Sequence, residues 1–234
     1  MSTFINDYKN SIYYPKLFEV DSDIIIAYLG GSYSFKTNHD KSDYDINVIT
    51  LDSDFFSVYF DWHLKYKSKT VHWYYRPISD FFRLTCYDLI DYVGVLTLLH
   101  IPKENIIYLN PKYEHQWNYL YDHRDQLLKH ICIELGLSVK SFINFVLESD
   151  LLKAMQAQRV YFTCLAAYYH LKITPDYALL KKISKAKHKE NTITQTEFDT
   201  IKKLLRKFLD SLTDFNLDTN RALLKSLEKD FKFI

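Results

Sequence analysis

Gly30-Gly31-Ser32-Tyr33-Ser34-Phe35-Lys36-Thr37-Asn38-His39-Asp40-Lys41-Ser42-Asp43-Tyr44-Asp45 lies between two apolar runs, Ile24 to Leu29 before it and Ile46 to Ile49 after it. The sequence has four glycines, and two of them stand side by side at the head of this stretch. Ile24 to Leu29 reads as a buried strand, bounded by Asp21-Ser22-Asp23 and by the glycine pair. Residues 43–51 alternate, with Tyr44, Ile46 and Val48 on one face and Asp43, Asp45, Asn47 and Ile49 on the other. A glycine turn therefore joins two strands, and the second strand opens with two aspartates one residue apart.

Those aspartates share a face because strand side chains alternate. Two neighbouring carboxylates repel, and burying either without a partner is costly. A divalent cation resolves both difficulties, and oxygen ligands with open water positions suit Mg²⁺ or Mn²⁺, the usual companions of a triphosphate. The turn supplies the complementary half. A strand ending in Gly30-Gly31-Ser32 and leading into a short helix offers backbone N–H groups and a hydroxyl to an anion. Glycine lets a phosphate approach where a Cβ would block it. The two halves sit at the ends of neighbouring strands, so one metal–nucleotide can bridge them. The chemistry that follows is in-line attack on a phosphoryl group with pyrophosphate as the leaving group.

Gly30-Gly31-Ser32, ten residues, then Asp43-Tyr44-Asp45-Ile46 resembles the signature of the DNA polymerase β-like nucleotidyltransferase superfamily. The run Ser42-Asp43-Tyr44-Asp45 has the form common among its bacterial and phage members. The resemblance implies that Gly31 and Ser32, with Gly30, hold nucleotide phosphates and that Asp43 and Asp45 bind catalytic metal. Residues 71–78 (Val71-His72-Trp73-Tyr74-Tyr75-Arg76-Pro77-Ile78) and 153–159 (Lys153-Ala154-Met155-Gln156-Ala157-Gln158-Arg159) look like those of the YcgL-type predicted nucleotidyltransferases. Two departures stand out. Lys36 precedes Thr37 where members often carry glycine, which puts a lysine either beside the phosphates or in solvent. The superfamily's third carboxylate, a general base for the acceptor hydroxyl, is absent from the candidate strand over 70–75, where His72 takes the equivalent position. Histidine serves as a base near neutral pH but lacks a carboxylate's affinity for Mg²⁺. Asp80, after Pro77, reads as a charge at a helix start.

The chain has 234 residues, enough for one domain or two small ones. Thirty basic residues against 29 acidic ones give a net charge of +1, which argues against a protein that coats nucleic acid generally. Cys86, Cys132 and Cys164 are too few and too far apart for a disulfide framework or zinc cluster, so a reduced cytoplasmic setting is expected. Met1 to Asn10 is polar and lacks the apolar centre of a signal peptide, and no uncharged apolar run is long enough to span a membrane.

Ser53 and Asp54 are positioned to cap a short helix through Leu64, Ser79 begins a helical stretch, and residues 105–109 form another short strand. After Tyr113 the pattern turns helical, with Gly136 and Pro175 the only breakers before Phe233. Helices are expected over 113–134, 138–149, 150–171, 176–187, 195–211 and 217–231. The fold class is α+β: a small mixed-sheet nucleotidyltransferase core over residues 1–111, then a helical domain over residues 112–234 that closes the nucleotide cleft. Lys153, Gln156, Arg159 and Thr163 make a polar stripe on one helix. It reads either as a solvated face or, with Lys153 and Arg159, as contacts to the nucleotide or acceptor. Lys181, Lys182, Lys185, Lys187 and Lys189, with Lys202, Lys203, Arg206 and Lys207, form basic clusters best explained as solvated faces.

Two functions follow. One is metal-dependent transfer of NMP from an NTP to a hydroxyl on a protein or RNA acceptor. The other is a nucleotide- or polyanion-binding regulatory module that has lost turnover.

Overall fold

The computed structural model describes residues 2–10, 24–40, 42–51, 64–66, 69–78, 103–186, 193–212, 222 and 225–230. Residues 53–63 of the helix expected from Ser53 through Leu64, the stretch from Ser79 with Asp80, and Cys86, Lys187 and Lys189 lie outside the described residues; Leu64 itself opens a strand that pairs with residues 69–71, not the end of a helix. The fold is α+β, as the sequence pattern predicts: a mixed sheet followed by helices.

Among the described residues five strands form the sheet: β1 (Ile24–Leu29), β2 (Tyr44–Thr50), β3 (Leu64–Tyr66), β4 (Lys69–Pro77) and β5 (Ile106–Leu109), in the order β3-β4-β2-β1-β5. β1 runs antiparallel to β2 and β5, and β4 runs parallel to β2 and antiparallel to β3. β1 is buried along its whole length, which explains its unbroken apolar run. A register shift between Ile24 and Ile26 lets Ile25, Ile26 and Tyr28 join one core cluster while Ile24, Ala27 and Leu29 join another.

The second of these clusters covers the face carrying Ile46, Val48, Val71 and Trp73. Its cover is α1 (Ser2–Lys9), a helix that the polar composition of residues 1–10 conceals. Phe4, Ile5 and Tyr8 fall on one helical face and bury against the sheet, so three apolar positions suffice to dock it. Tyr44 is held between Phe4 and Tyr33, with ring centroids 3.8 and 4.7 Å away.

The opposite face meets the helices. Among the described residues the helices sharing this core are α3 (Glu114–Asp122), α4 (Arg124–Ser138), α5 (Lys140–Glu148), α6 (Ala154–His170), α7 (Tyr177–Ala186) and α8 (Gln195–Asp210), with residues 225–230 also helical. One continuous apolar cluster runs from Ile25, Tyr28, Phe35 and Ile49 through Ile131, Leu165 and Phe208. The single helix expected over 113–134 is two helices broken at His123. There the Tyr119 carbonyl accepts the His123 N–H at 3.1 Å and bonds the His123 imidazole at 2.8 Å, and Arg124 Nη1 donates to the Tyr121 carbonyl at 2.7 Å, so side chains add partners to the backbone bonds at the helix end. The helix expected from residue 150 begins at Ala154, where the Lys153 N–H is capped by Gln156 Oε1 at 3.3 Å. Of the helix expected over 217–231, residues 222 and 225–230 are described and helical. Among the described residues no single helix is long and apolar enough to cross a membrane; α4 and α5 pass that test only as a pair bent by 62°.

Candidate active site

The glycine turn runs from the end of β1 into α2 (Gly31–Ser34), a single helical turn. Gly31 adopts φ +55°, where a side chain is strained. A Cβ on Gly31 would also overlap the Asp45 carboxylate, so a side chain here is strained and has to displace that carboxylate. The Gly30 N–H donates to the Asp45 carbonyl at 2.7 Å and ties the turn to β2. Turn and acidic strand are thus one construction.

Each peptide of the turn is pinned by its carbonyl. Leu29 O accepts from Ser34 Oγ at 2.8 Å and from Asn105 Nδ2 at 3.2 Å. The Gly30, Gly31 and Ser32 carbonyls accept the N–H groups of Ser34, Phe35 and Thr37 at 3.3, 3.3 and 2.9 Å. A trans peptide is planar with N–H opposite to C=O, so the Gly31, Ser32 and Tyr33 N–H groups face the other way and lie outside the helical ladder. Phe35 is buried in the helix-side core near Tyr169, which anchors the far end of the turn.

Asp45 of β2 is in register with His72 of β4, and Asn47 with Tyr74. Asp43, Asp45, His72 and Tyr74 therefore share one face of the sheet, the face towards the helices. His72 Nε2 lies 3.5 Å from Asp43 Oδ2; Asp43 is 48% exposed and His72 19%. His72 and Tyr74 stack nearly parallel at 6.1 Å between centroids. Tyr161 of α6 completes the surroundings. Its hydroxyl is 2.5 Å from Thr37 Oγ1, burial raises its pKa far above the ordinary phenol value, and the Asp45 charge adds to the rise.

Lys36 is exposed and takes φ 55°. Arg159 is exposed and its guanidinium stacks on Phe142 of α5, 4.9 Å from the ring centroid. It sits two positions before Tyr161, which at 3.6 residues per turn puts it on the opposite side of α6. Gln156 and Thr163 are buried and bond their own helix's backbone, Thr163 to the Arg159 carbonyl at 2.7 Å. The polar stripe is therefore not one solvated face: Lys153 and Arg159 are exposed and the other two are buried and serve the helix. Lys182 of the basic cluster is paired with Glu197. Among the described residues, no group of three or more His, Cys, Asp and Glu side chains is gathered to hold a metal by itself. Cys132 and Cys164 are buried free thiols, and burial pushes the Cys164 thiol up to about 12, which leaves it unreactive at neutral pH.

Asn105, Ser34, Thr37 and Tyr161 support the turn, and the sequence motif gives none of them that role. Asn105 and Ser34 are 71 residues apart, and Thr37 and Tyr161 are 124 apart, so no local pattern announces either pair.

No known protein family matches the chain, and no curated protein matches it. Among solved structures it is similar to a nucleotidyltransferase-like protein from Exiguobacterium sibiricum 255-15, at 15% identity and a TM-score of 0.36, over 97% of this chain and 74% of that one. The narrower YcgL-type resemblance finds no support in these comparisons.

Proposed function

We propose that the chain is a metal-dependent nucleotidyltransferase, moving NMP from an NTP to an acceptor hydroxyl on a protein or RNA and releasing pyrophosphate. The observation that carries this reading is the interlock of Gly31 with Asp45: a left-handed glycine turn held directly against an acidic strand. The N–H groups of Gly31, Ser32 and Tyr33, with the Ser32 hydroxyl, bind the phosphates of the triphosphate. Asp43 and Asp45 hold Mg²⁺ or Mn²⁺. Magnesium is commonly bound by one or two carboxylates together with substrate phosphates, so the lack of a three-residue protein cluster suits a site completed by nucleotide. When bound, the ion neutralises charge on the triphosphate and favours departure of pyrophosphate.

His72, beside Asp45 in register and 3.5 Å from Asp43, takes the acceptor's proton as its oxygen bonds to the α-phosphorus. The bond from that phosphorus to the bridging oxygen breaks, and pyrophosphate carries the electron pair away. Residues 1–111 carry this chemistry and residues 112–234 close the cleft over it. Incubation with Mg²⁺ and each α-labelled NTP, with protein and RNA acceptors, tests the reading. Label in an acceptor with matching pyrophosphate supports it; neither from any pairing overturns it.

His72 itself favours a second reading, a nucleotide- or polyanion-binding regulatory module without turnover, because no carboxylate occupies β4. Under that reading binding survives Asp43→Asn and no metal-dependent product forms. Calorimetric titration of both proteins with Mg–ATP separates the two.

A further inference from the structure

We infer that Tyr161 is a positioning residue: from the helical half it holds Thr37, and through Thr37 the Ser32 carbonyl, so that the helices set the geometry of the glycine turn. Assigning a phosphate to that turn rests on the function proposed above; the tether does not. Thr37 is fully buried and Tyr161 is 5% exposed, so water does not compete for their bond. Thr37 engages the Ser32 carbonyl twice, through its N–H at 2.9 Å and its Oγ1 at 3.4 Å. A threonine hydroxyl has one proton, and once that is given to Ser32 the oxygen accepts from Tyr161. The phenol is protonated and able to donate at neutral pH; burial raises its pKa, the Thr37 bond offsets part of that, and the Asp45 charge adds to the rise.

A directed chain results, from the Tyr161 O–H to the Thr37 O–H to the Ser32 C=O. The Ser32 carbonyl shares a planar peptide with the Tyr33 N–H, so fixing one end aims the other. The residue two positions before Thr37, Phe35, is also packed among the helix-side apolar residues. The turn is thus held from the helical side at two points, one apolar and one polar. The apolar one holds Phe35, whose N–H bonds the Gly31 carbonyl, and the polar one acts through a side chain on the Ser32–Tyr33 peptide, whose N–H belongs to the proposed anion site. A merely structural tyrosine would stabilise the whole chain without selecting that peptide.

Tyr161→Phe removes the hydroxyl and keeps the ring. Tyr168→Phe, another buried phenol of α6, is the control for loss of a hydroxyl elsewhere in the same helix. Amide hydrogen exchange of the full chain and calorimetric titration with Mg–ATP provide two readouts. Tyr161→Phe is expected to raise exchange at the Thr37 amide about tenfold relative to amides of β1 and β2, and to weaken Mg–ATP binding about five- to tenfold, the scale of one lost hydrogen bond. Tyr168→Phe is expected to change neither. Thr37 exchange that is unaltered, raised equally across the sheet, or matched by Tyr168→Phe overturns the inference. If the unsubstituted protein does not bind Mg–ATP while Thr37 exchange responds selectively, the nucleotide assignment fails and the tether stands.

Discussion

Gly31 and Asp45 occupy one another's space: the carboxylate of Asp45 lies where a side chain at Gly31 would begin. Gly31→Ala therefore meets two costs. The left-handed φ of +55° disfavours a Cβ by about 1–2 kcal/mol, and the methyl displaces the carboxylate as well. The expected result is a loss of at least about 2 kcal/mol in denaturant unfolding, with Mg–ATP binding abolished. A Gly31→Ala protein that unfolds and binds like the parent would sink the interlock as the organising feature of the site.

On the proposed function, His72 stands in the place of a third carboxylate. Its place beside Asp45 in the parallel β2–β4 register means that His72→Asp puts a third carboxylate on the same face. If Asp43 and Asp45 hold a divalent cation, Mn²⁺ affinity measured by electron paramagnetic resonance is expected to rise about tenfold or more in His72→Asp, and to fall in Asp43→Asn and Asp45→Asn. Unchanged Mn²⁺ affinity in all three variants removes the metal from the proposal. If histidine is also the base, His72→Ala is expected to lower kcat about 100-fold while leaving KM for NTP nearly unchanged.

The strands nearest the site were legible because the information is local. The apolar run Ile24–Leu29, the glycine pair and the alternation through Asp43 and Asp45 each lie within a few residues. What supports them was not legible, because Asn105 and Tyr161 reach the turn from elements far along the chain. Periodicity also misled at the helix ends. Residues 113–134 keep an apolar rhythm across His123, but side-chain bonds from His123 and Arg124 to the preceding carbonyls make a break there inexpensive. In α1, three buried residues among polar neighbours are enough to dock a helix, and composition alone hides them.

Glu197 makes the stability of α8 depend on acid. Its carboxylate accepts from Lys182 and from the Thr194 N–H at 2.8 Å, while Thr194 Oγ1 accepts the Glu197 N–H at 3.3 Å. The Lys182 bond first, then the Thr194 backbone bond, hold its pKa below the ordinary carboxylate value. A depressed folded-state pKa contributes stability that is present above the unfolded pKa and lost as pH falls through the folded one. The denaturation midpoint of the parent is expected to fall below about pH 4.5 more steeply than that of Glu197→Gln. Thr194→Ala is expected to cost about 1 kcal/mol at neutral pH as a lost helix cap. Parallel pH profiles for parent and Glu197→Gln would show that the pair contributes nothing to folding.

Gly136 sits inside α4, where helix propensity alone favours alanine by about 1 kcal/mol. Packing opposes that gain. A Cβ there would stand 2.7 Å from Phe208 Cζ and 3.0 Å from Cε1, and would overlap Leu212. The Phe208 ring is fully buried, so it has no solvent side to turn into, and overpacking of this kind costs about 1–3 kcal/mol. The packing term wins, and Gly136→Ala is expected to lower stability by about 1 kcal/mol despite its better propensity. Phe208→Leu opens room at the cost of a cavity, so the double variant Gly136→Ala with Phe208→Leu is expected to be more stable than the sum of the two single losses predicts. Denaturant unfolding of all four proteins gives that coupling directly. Strict additivity, or a Gly136→Ala protein more stable than the parent, would show that α4 and α8 are not in close contact at this point.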